Sequence, residues 1–446
     1  MVLIKNKLAN IALSLPKILV PGEGIDMEKW AVIACDQYTS DLDYWEDVDK
    51  AVGSAPSSLR LVLPEVYLET PREKKISASI FREMKSYLRS GVLTELEPGF
   101  IYVRRTTNYG NVRNGLMACV DLEMYSFDKD STSFIRPTEK TIIERVPPRV
   151  KIREKAVLEL PHILFLIDDP AKTVIEPLEK TKNLYQKIYD FELMKNGGRI
   201  EGYHINEDSA LSSIANAITD LADENAFHKA NGDEKPMLLY AVGDGNHSLA
   251  SAKQHWDNVK IGLKANELDG YPARFALVEI INIHDEGMKF EPIHRVLFDC
   301  PLDNLLVELE SAFDLAIHEF NDVGTLEEFV KAEYDNRESH TFGLLSNDRL
   351  LAVSVNSPEH NLAVATLQIF LDDYIEKHDV EIDFIHDIGS VVDLVNKKNT
   401  GLLLPPIDKS GFFKTIIHEG TLPRKAFSMG HADEKRFYLE ARKITR

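Results

Sequence analysis

Met237 to Val242 (MLLYAV) is an uninterrupted apolar run that halts at Gly243-Asp244-Gly245 and passes at once into NHSLASAKQHW. An apolar run bounded by glycines reads as a buried strand, and Asn246 is a residue that caps helices, so strand, turn and helix start follow one another here. That order leaves backbone N–H groups facing outward at the positive end of a helix dipole, which outlines an anion site. Asp244 complicates it, because a bound phosphate repels a carboxylate unless a cation or a proton transfer compensates. The compensators are Mg²⁺, which binds carboxylate and phosphate oxygens, or a substrate hydroxyl whose proton Asp244 accepts. Asp244 is thus a candidate catalytic and metal-ligating residue, and His247, on the first turn, a candidate donor to phosphate. Gly243, Gly245, Asn246 and Ser248 complete the loop. By spacing alone, an ordinary Asp-Gly turn followed by a cap-side histidine reads the same way.

The surrounding pattern alternates strands and helices. Ile76, Ile80, Met84 and Leu88 recur every fourth residue before Gly91, which predicts an amphipathic helix with a glycine cap. Phe100 to Tyr125 predicts a hairpin about Asn108-Tyr109-Gly110-Asn111. Helices are expected near 176–191 and from Asp208, with strands at 17–20, 31–35, 163–167 and 200–205. ARFALVEIINI and KFEPIHRVLF read as paired strands, and a final helix is expected in TLPRKAFSMGHADEKRFYLEARKI. The class is α/β, or mixed α+β, with mixed sheets and flanking helices. A chain of 446 residues exceeds one ordinary core, so two regions are expected, 1–300 carrying the Asp-Gly loop and 301–446 packed against it.

Charge narrows the partners. Asp and Glu outnumber Lys and Arg by 72 to 52, giving a net charge of −20, and such a field repels nucleic acid. Against it, the segment IRPTEKTIIERVPPRVKIREK gathers Arg136, Lys140, Arg145, Arg149, Lys151, Arg153 and Lys155, either as a solvated face or as one that meets an anion. Cys35, Cys119 and Cys300 form no CxxC pair, and His247 and His255 are eight apart without an HExxH pattern, so no zinc site is expected. Neither a GxSxG elbow nor a Walker loop occurs, and nothing points to haem or flavin. No membrane-spanning run and no signal cleavage site are seen, which makes the cytoplasm the expected compartment.

The Asp-Gly loop resembles that of the family called domain of unknown function 1015, whose members carry an Asp-Gly-His-His-Arg type motif at a strand end. Four further segments in order support the resemblance: Arg136 to Thr141 (RPTEKT), Phe165 to Pro170, Pro292-Ile293-His294-Arg295, and the pair Leu404-Pro405-Pro406 and Pro423-Arg424-Lys425. The loop is also similar to the phosphate-side loop of the ParB/sulfiredoxin-like superfamily, which includes free serine kinases. Asn246 and Ser248 depart from that pattern, standing where histidine and arginine are usual, and the second change removes a fork-shaped phosphate donor. The resemblance implies a nucleotide, ATP or ADP or another, bound with Mg²⁺, and phosphoryl transfer to a small hydroxylated molecule. Arg136, Lys140 or Arg295 is expected to supply the missing charge, with His294 a further candidate binding residue, and Glu23 and Asp36 are the candidates for a second catalytic carboxylate. The alternative is a non-catalytic nucleotide- or phosphate-sensing interaction module; a homo-oligomer is compatible with either.

Overall fold

The computed structural model describes residues 1–128, 131–334, 336 and 338–446. They divide into two compact units, 1–288 together with 431–446, and 289–430. The protein is mixed α/β.

Side-chain alternation builds the sheet of the first unit. Phe100 and Tyr102 enter one core with Leu116, Ala118 and Val120, while Ile101 and Val103 enter the other with Met117 and Cys119. With both faces covered, these strands are apolar on successive residues, and nine strands share the sheet. Its path runs 186–193, 198–205, 100–106, 112–121, 275–282, 164–167, 240–244 and 135–137, with 13–14 paired on 112–121. Neighbours are antiparallel as far as 275–282; beyond it, 164–167 runs parallel to 275–282 and 135–137 parallel to 240–244. The helices Val2–Asn10, Asp208–Leu221 and Asn246–Lys260 cover one face. Trp30, Trp45 and the helix Glu73–Ser90, closed by left-handed Gly91, cover the other.

The second unit holds a six-stranded antiparallel sheet in the order 315–320, 350–356, 339–345, 400–403, 294–298, 381–385. Among the described residues no helix is long and apolar enough to cross a membrane.

Several local expectations give way to long-range pairing. The helix expected over 176–191 ends at Thr181, and Gln186–Leu193 forms a hairpin strand with Gly198–Ile205, because Ile188, Tyr189, Phe191 and Leu193 pack on the sheet. Phe275–Asn282 pairs with Val112–Asp121 and Leu164–Ile167, whereas His294–Phe298 pairs within the second unit, so the two are not partners. In place of a final α-helix there is only a 3₁₀ turn, Ala432–Glu434. Phe437–Tyr438 pairs with Val32–Ile33, Arg442–Lys443 with Leu158–Glu159, and Ala441 bridges Leu19. These pairings place 431–446 with the first unit, where the sequence reading had left it with the second.

Candidate functional site

Strand Tyr240–Asp244 reaches its end through an irregularity: register with Leu164–Ile167 shifts between Val242 and Asp244, at Gly243. Gly245 then takes φ +77°, and a Cβ on it would lie 3.0 Å from both Cα and Cγ1 of Ile163, so glycine is required for conformation and for space. Gly245, not Asn246, is the cap of helix Asn246–Lys260; Asn246 is its first residue, with a buried Oδ1 that has no partner. Gly245 N–H donates to Asp244 Oδ1 at 2.9 Å, and Leu249 N–H to Gly245 O at 3.0 Å. The N–H groups of Asn246, His247 and Ser248 have no intrahelical acceptor, and no other described atom accepts them.

A lysine absent from the sequence reading provides the local cation. Lys435 Nζ lies 3.3 Å from Asp244 Oδ2, and both side chains are well covered. Its charge also reaches Asp36: burial alone would raise that carboxyl, but His162, the Gln37 amide and Lys435 together hold it below the ordinary aspartate range. Lys435 thus pairs with Asp244 and lowers Asp36 by its charge from beyond ion-pair distance. Asp36 Oδ2 is 3.7 Å from His162 Nε2, the nitrogen that also meets Ser248 Oγ at 3.0 Å. His162 Nδ1 meets Tyr438 Oη at 2.9 Å, and Tyr438 Oη accepts from Cys35 N–H at 3.2 Å.

This is not a serine-hydrolase relay. In such a relay the carboxylate holds one imidazole nitrogen and the serine meets the other, whereas Asp36 and Ser248 share Nε2 here. Burial pushes the Cys35 thiol up to about 12, so it remains protonated and is no nucleophile.

His247 accepts from Ile142 N–H through Nε2 at 3.2 Å. Burial, then Arg149 and Arg145, push it down to about 4, so at neutral pH the ring is uncharged, with Nδ1–H left to donate. Arg149 is ion-paired with Glu65, whose N–H donates to Cys35 O at 2.8 Å.

The other expected residues are placed as follows. Lys140 is exposed, two residues before Ile142. Arg136 registers beside Ala241, but its Nη2 donates to Pro236 O at 2.9 Å, before the start of the strand whose end carries Asp244. Glu23 is exposed in the loop after Leu19–Pro21. His294 and Arg295 belong to the second unit. There His294 Nδ1 accepts from Leu404 N–H at 3.1 Å, and buried Arg295 donates to Gln368 Oε1 and Lys425 O, both at 3.1 Å. Lys435, His162 and Tyr438 carry no motif signal, and only the basic character of residues 421–446 hinted at the first.

Among the described residues no group of three or more His, Cys, Asp or Glu side chains is placed to hold a metal ion. A carboxylate such as Asp244 suits Mg²⁺ that arrives with phosphate oxygens and keeps several waters, because that ion binds through one or two carboxylates plus phosphates.

The model of a family described as protein of unknown function (DUF1015) matches residues 19–374. No curated protein matches. Among solved structures, free serine kinase in complex with AMP is 10% identical, with a TM-score of 0.35, over 74% of this chain and 92% of that one. SbnI with a C-terminal truncation, from Staphylococcus aureus, is 10% identical with a TM-score of 0.33, over 72% and 82%. A conserved hypothetical protein from Pyrococcus furiosus is 12% identical with a TM-score of 0.33, over 72% and 90%. The chain belongs to the DUF1015 family.

Proposed function

We propose that this DUF1015 protein transfers the terminal phosphoryl group of a nucleotide to the hydroxyl of a small molecule. One observation carries the reading: Asp244 is ion-paired with Lys435, whose charge also lowers Asp36, beside a helix start with three uncommitted N–H groups. Phosphoryl transfer demands little covalent chemistry from a protein; it demands positioning and charge, and these groups supply both.

In the proposed step the substrate hydroxyl oxygen bonds to the terminal phosphorus. The bond from that phosphorus to the bridging oxygen breaks, its electron pair leaving with the shortened nucleotide, and the hydroxyl proton passes to Asp36. A carboxylate held below its usual range is a weak base, which suffices where the proton is lost late. Asp244 and Lys435 stand on the phosphate side, together with the helix N–H groups and His247 Nδ1–H. Mg²⁺ bound with the nucleotide would neutralise phosphate charge there, with Asp244 as its protein ligand.

Release of shortened nucleotide, measured over a panel of hydroxylated compounds, tests the reading. Asp36→Asn should abolish release while nucleotide still binds, and Lys435→Met should weaken nucleotide binding by about 1–3 kcal/mol, the scale of a charge-assisted hydrogen bond. A wild-type protein that binds nucleotide but turns over no compound, with Asp36→Asn indistinguishable from it, favours the non-catalytic sensing module.

A further inference from the structure

We infer that the hydroxylated substrate carries an apolar group about the size of a benzene ring, held in a cavity that adjoins Ser248 and His162. The fate assigned to the hydroxyl rests on the phosphotransfer reading; the cavity does not.

The cavity measures about 190 Å³ and lies wholly within the first unit. Its walls include Leu61, Leu63, Ile80, Met84, Ile152 and Leu158, and the same void touches His162 and Ser248. The space opens to solvent on one side, and an apolar recess of this size with a few polar groups in its wall is the usual form of a small-molecule site. A void of about 150 Å³ lined by aliphatic and aromatic side chains admits benzene, which sets the scale of the occupant.

The charged groups in the wall answer one another. Arg149 is paired with Glu65 and Arg153 with Glu159. Glu159 also accepts from Leu277 N–H at 2.9 Å and Arg442 Nε at 2.7 Å, and Ser251 Oγ donates to His247 O at 2.7 Å. Arg153 Nε has no hydrogen-bond partner, but neither do the Nε atoms of Arg105, Arg113, Arg136 and Arg436, so it does not mark the cavity.

A carboxylate, an ammonium or a second hydroxyl placed among these walls would lose water without regaining partners, whereas an apolar group gains by leaving water. Ser248 and His162 supply polar groups to the wall, and Asp36 stands 3.7 Å from the His162 Nε2. A molecule with an apolar body and one hydroxyl therefore fits body inward, its hydroxyl beside the group that takes the proton.

Benzyl alcohol, glycerol and L-serine, titrated against the full chain by thermal shift, test this. Benzyl alcohol should bind at least 10-fold more tightly than either polar compound. Ala156→Leu, which fills the void from a wall residue outside the polar cluster, should weaken benzyl alcohol at least 10-fold and leave the shift produced by Mg-ATP unchanged. Glycerol or serine binding as tightly as benzyl alcohol to the wild type overturns the inference, whether or not Ala156→Leu folds. Benzyl alcohol binding that Ala156→Leu weakens, in a protein no nucleotide stabilises, keeps the cavity and removes the phosphotransfer reading. Mg-ATP binding with a preference for serine or glycerol does the reverse.

Discussion

His247 contributes at the site through neutrality. Its Nε2 is occupied by Ile142 N–H at 3.2 Å and its ring is held down to about 4, so it offers a phosphate one uncharged donor, Nδ1–H. We predict that His247→Ala weakens nucleotide binding by about 1–3 kcal/mol, the cost of a hydrogen bond to a charged group, at pH 7 and at pH 6 alike. Calorimetric titration at both values checks it; a loss that grows tenfold at the lower pH would mean that a charged imidazole was at work. The turn that holds Asp244 and His247 was legible because a strand, a glycine turn and a helix start are local patterns, whereas Asp36 was only one of two candidates for a second carboxylate. Lys435, His162 and Tyr438 were not legible, since Ser248 meets His162 across 86 residues and His162 meets Tyr438 across 276. No spacing rule spans such distances. Asn246 was read as the cap from its residue type, yet Gly245 holds that place because the left-handed turn against Ile163 admits no side chain.

Among the elements, the segment 431–446 links the site to the sheet. It delivers Lys435 and Tyr438, and between them Arg436, which pairs with Glu279 and Glu440, each at most 2% exposed. Removing one partner of a buried pair strands the other's charge, so Arg436→Met should cost about 3–5 kcal/mol in urea unfolding, far beyond a surface substitution. A loss under about 1 kcal/mol would show that the two glutamates find other partners. The sequence pattern suggested a helix here because charged and apolar residues mix without strict alternation, and strands of two residues, paired to distant partners, leave too little periodicity to read. The hairpin 100–121 and the helix 73–90 were legible for the opposite reason: each is long and has a turn or cap residue at its boundary.

For the whole molecule, both units contain buried neutral histidines. His247 and His255 in the first, His294 and His340 in the second, are each pushed down to about 4, chiefly by burial. Unfolded, they titrate near 6.5, so between about pH 6.5 and 4 the unfolded chain binds protons that the folded chain refuses. Stability is therefore predicted to fall as pH drops through that window, by up to about 1.4 kcal/mol per pH unit for each histidine, less for the more open His247. Urea midpoints that stay level from pH 6.5 to 4.5 would refute it. The mixed α/β class was legible in the alternation of strand and helix patterns, but the division was not, because return of 431–446 to the first unit depends on pairings that local patterns do not encode. The central claim, that Asp244 serves nucleotide chemistry and is not merely a turn former, is tested most directly by the melting temperature of Asp244→Asn, with and without Mg-ATP or Mg-ADP. The account predicts at most a small drop in melting temperature without nucleotide, from loss of the Lys435 ion pair, and loss of the Mg²⁺-dependent part of a nucleotide stabilisation that totals about 2.7 kcal/mol at a hundred times the dissociation constant. A lowered melting temperature with nucleotide affinity unaltered would contradict it.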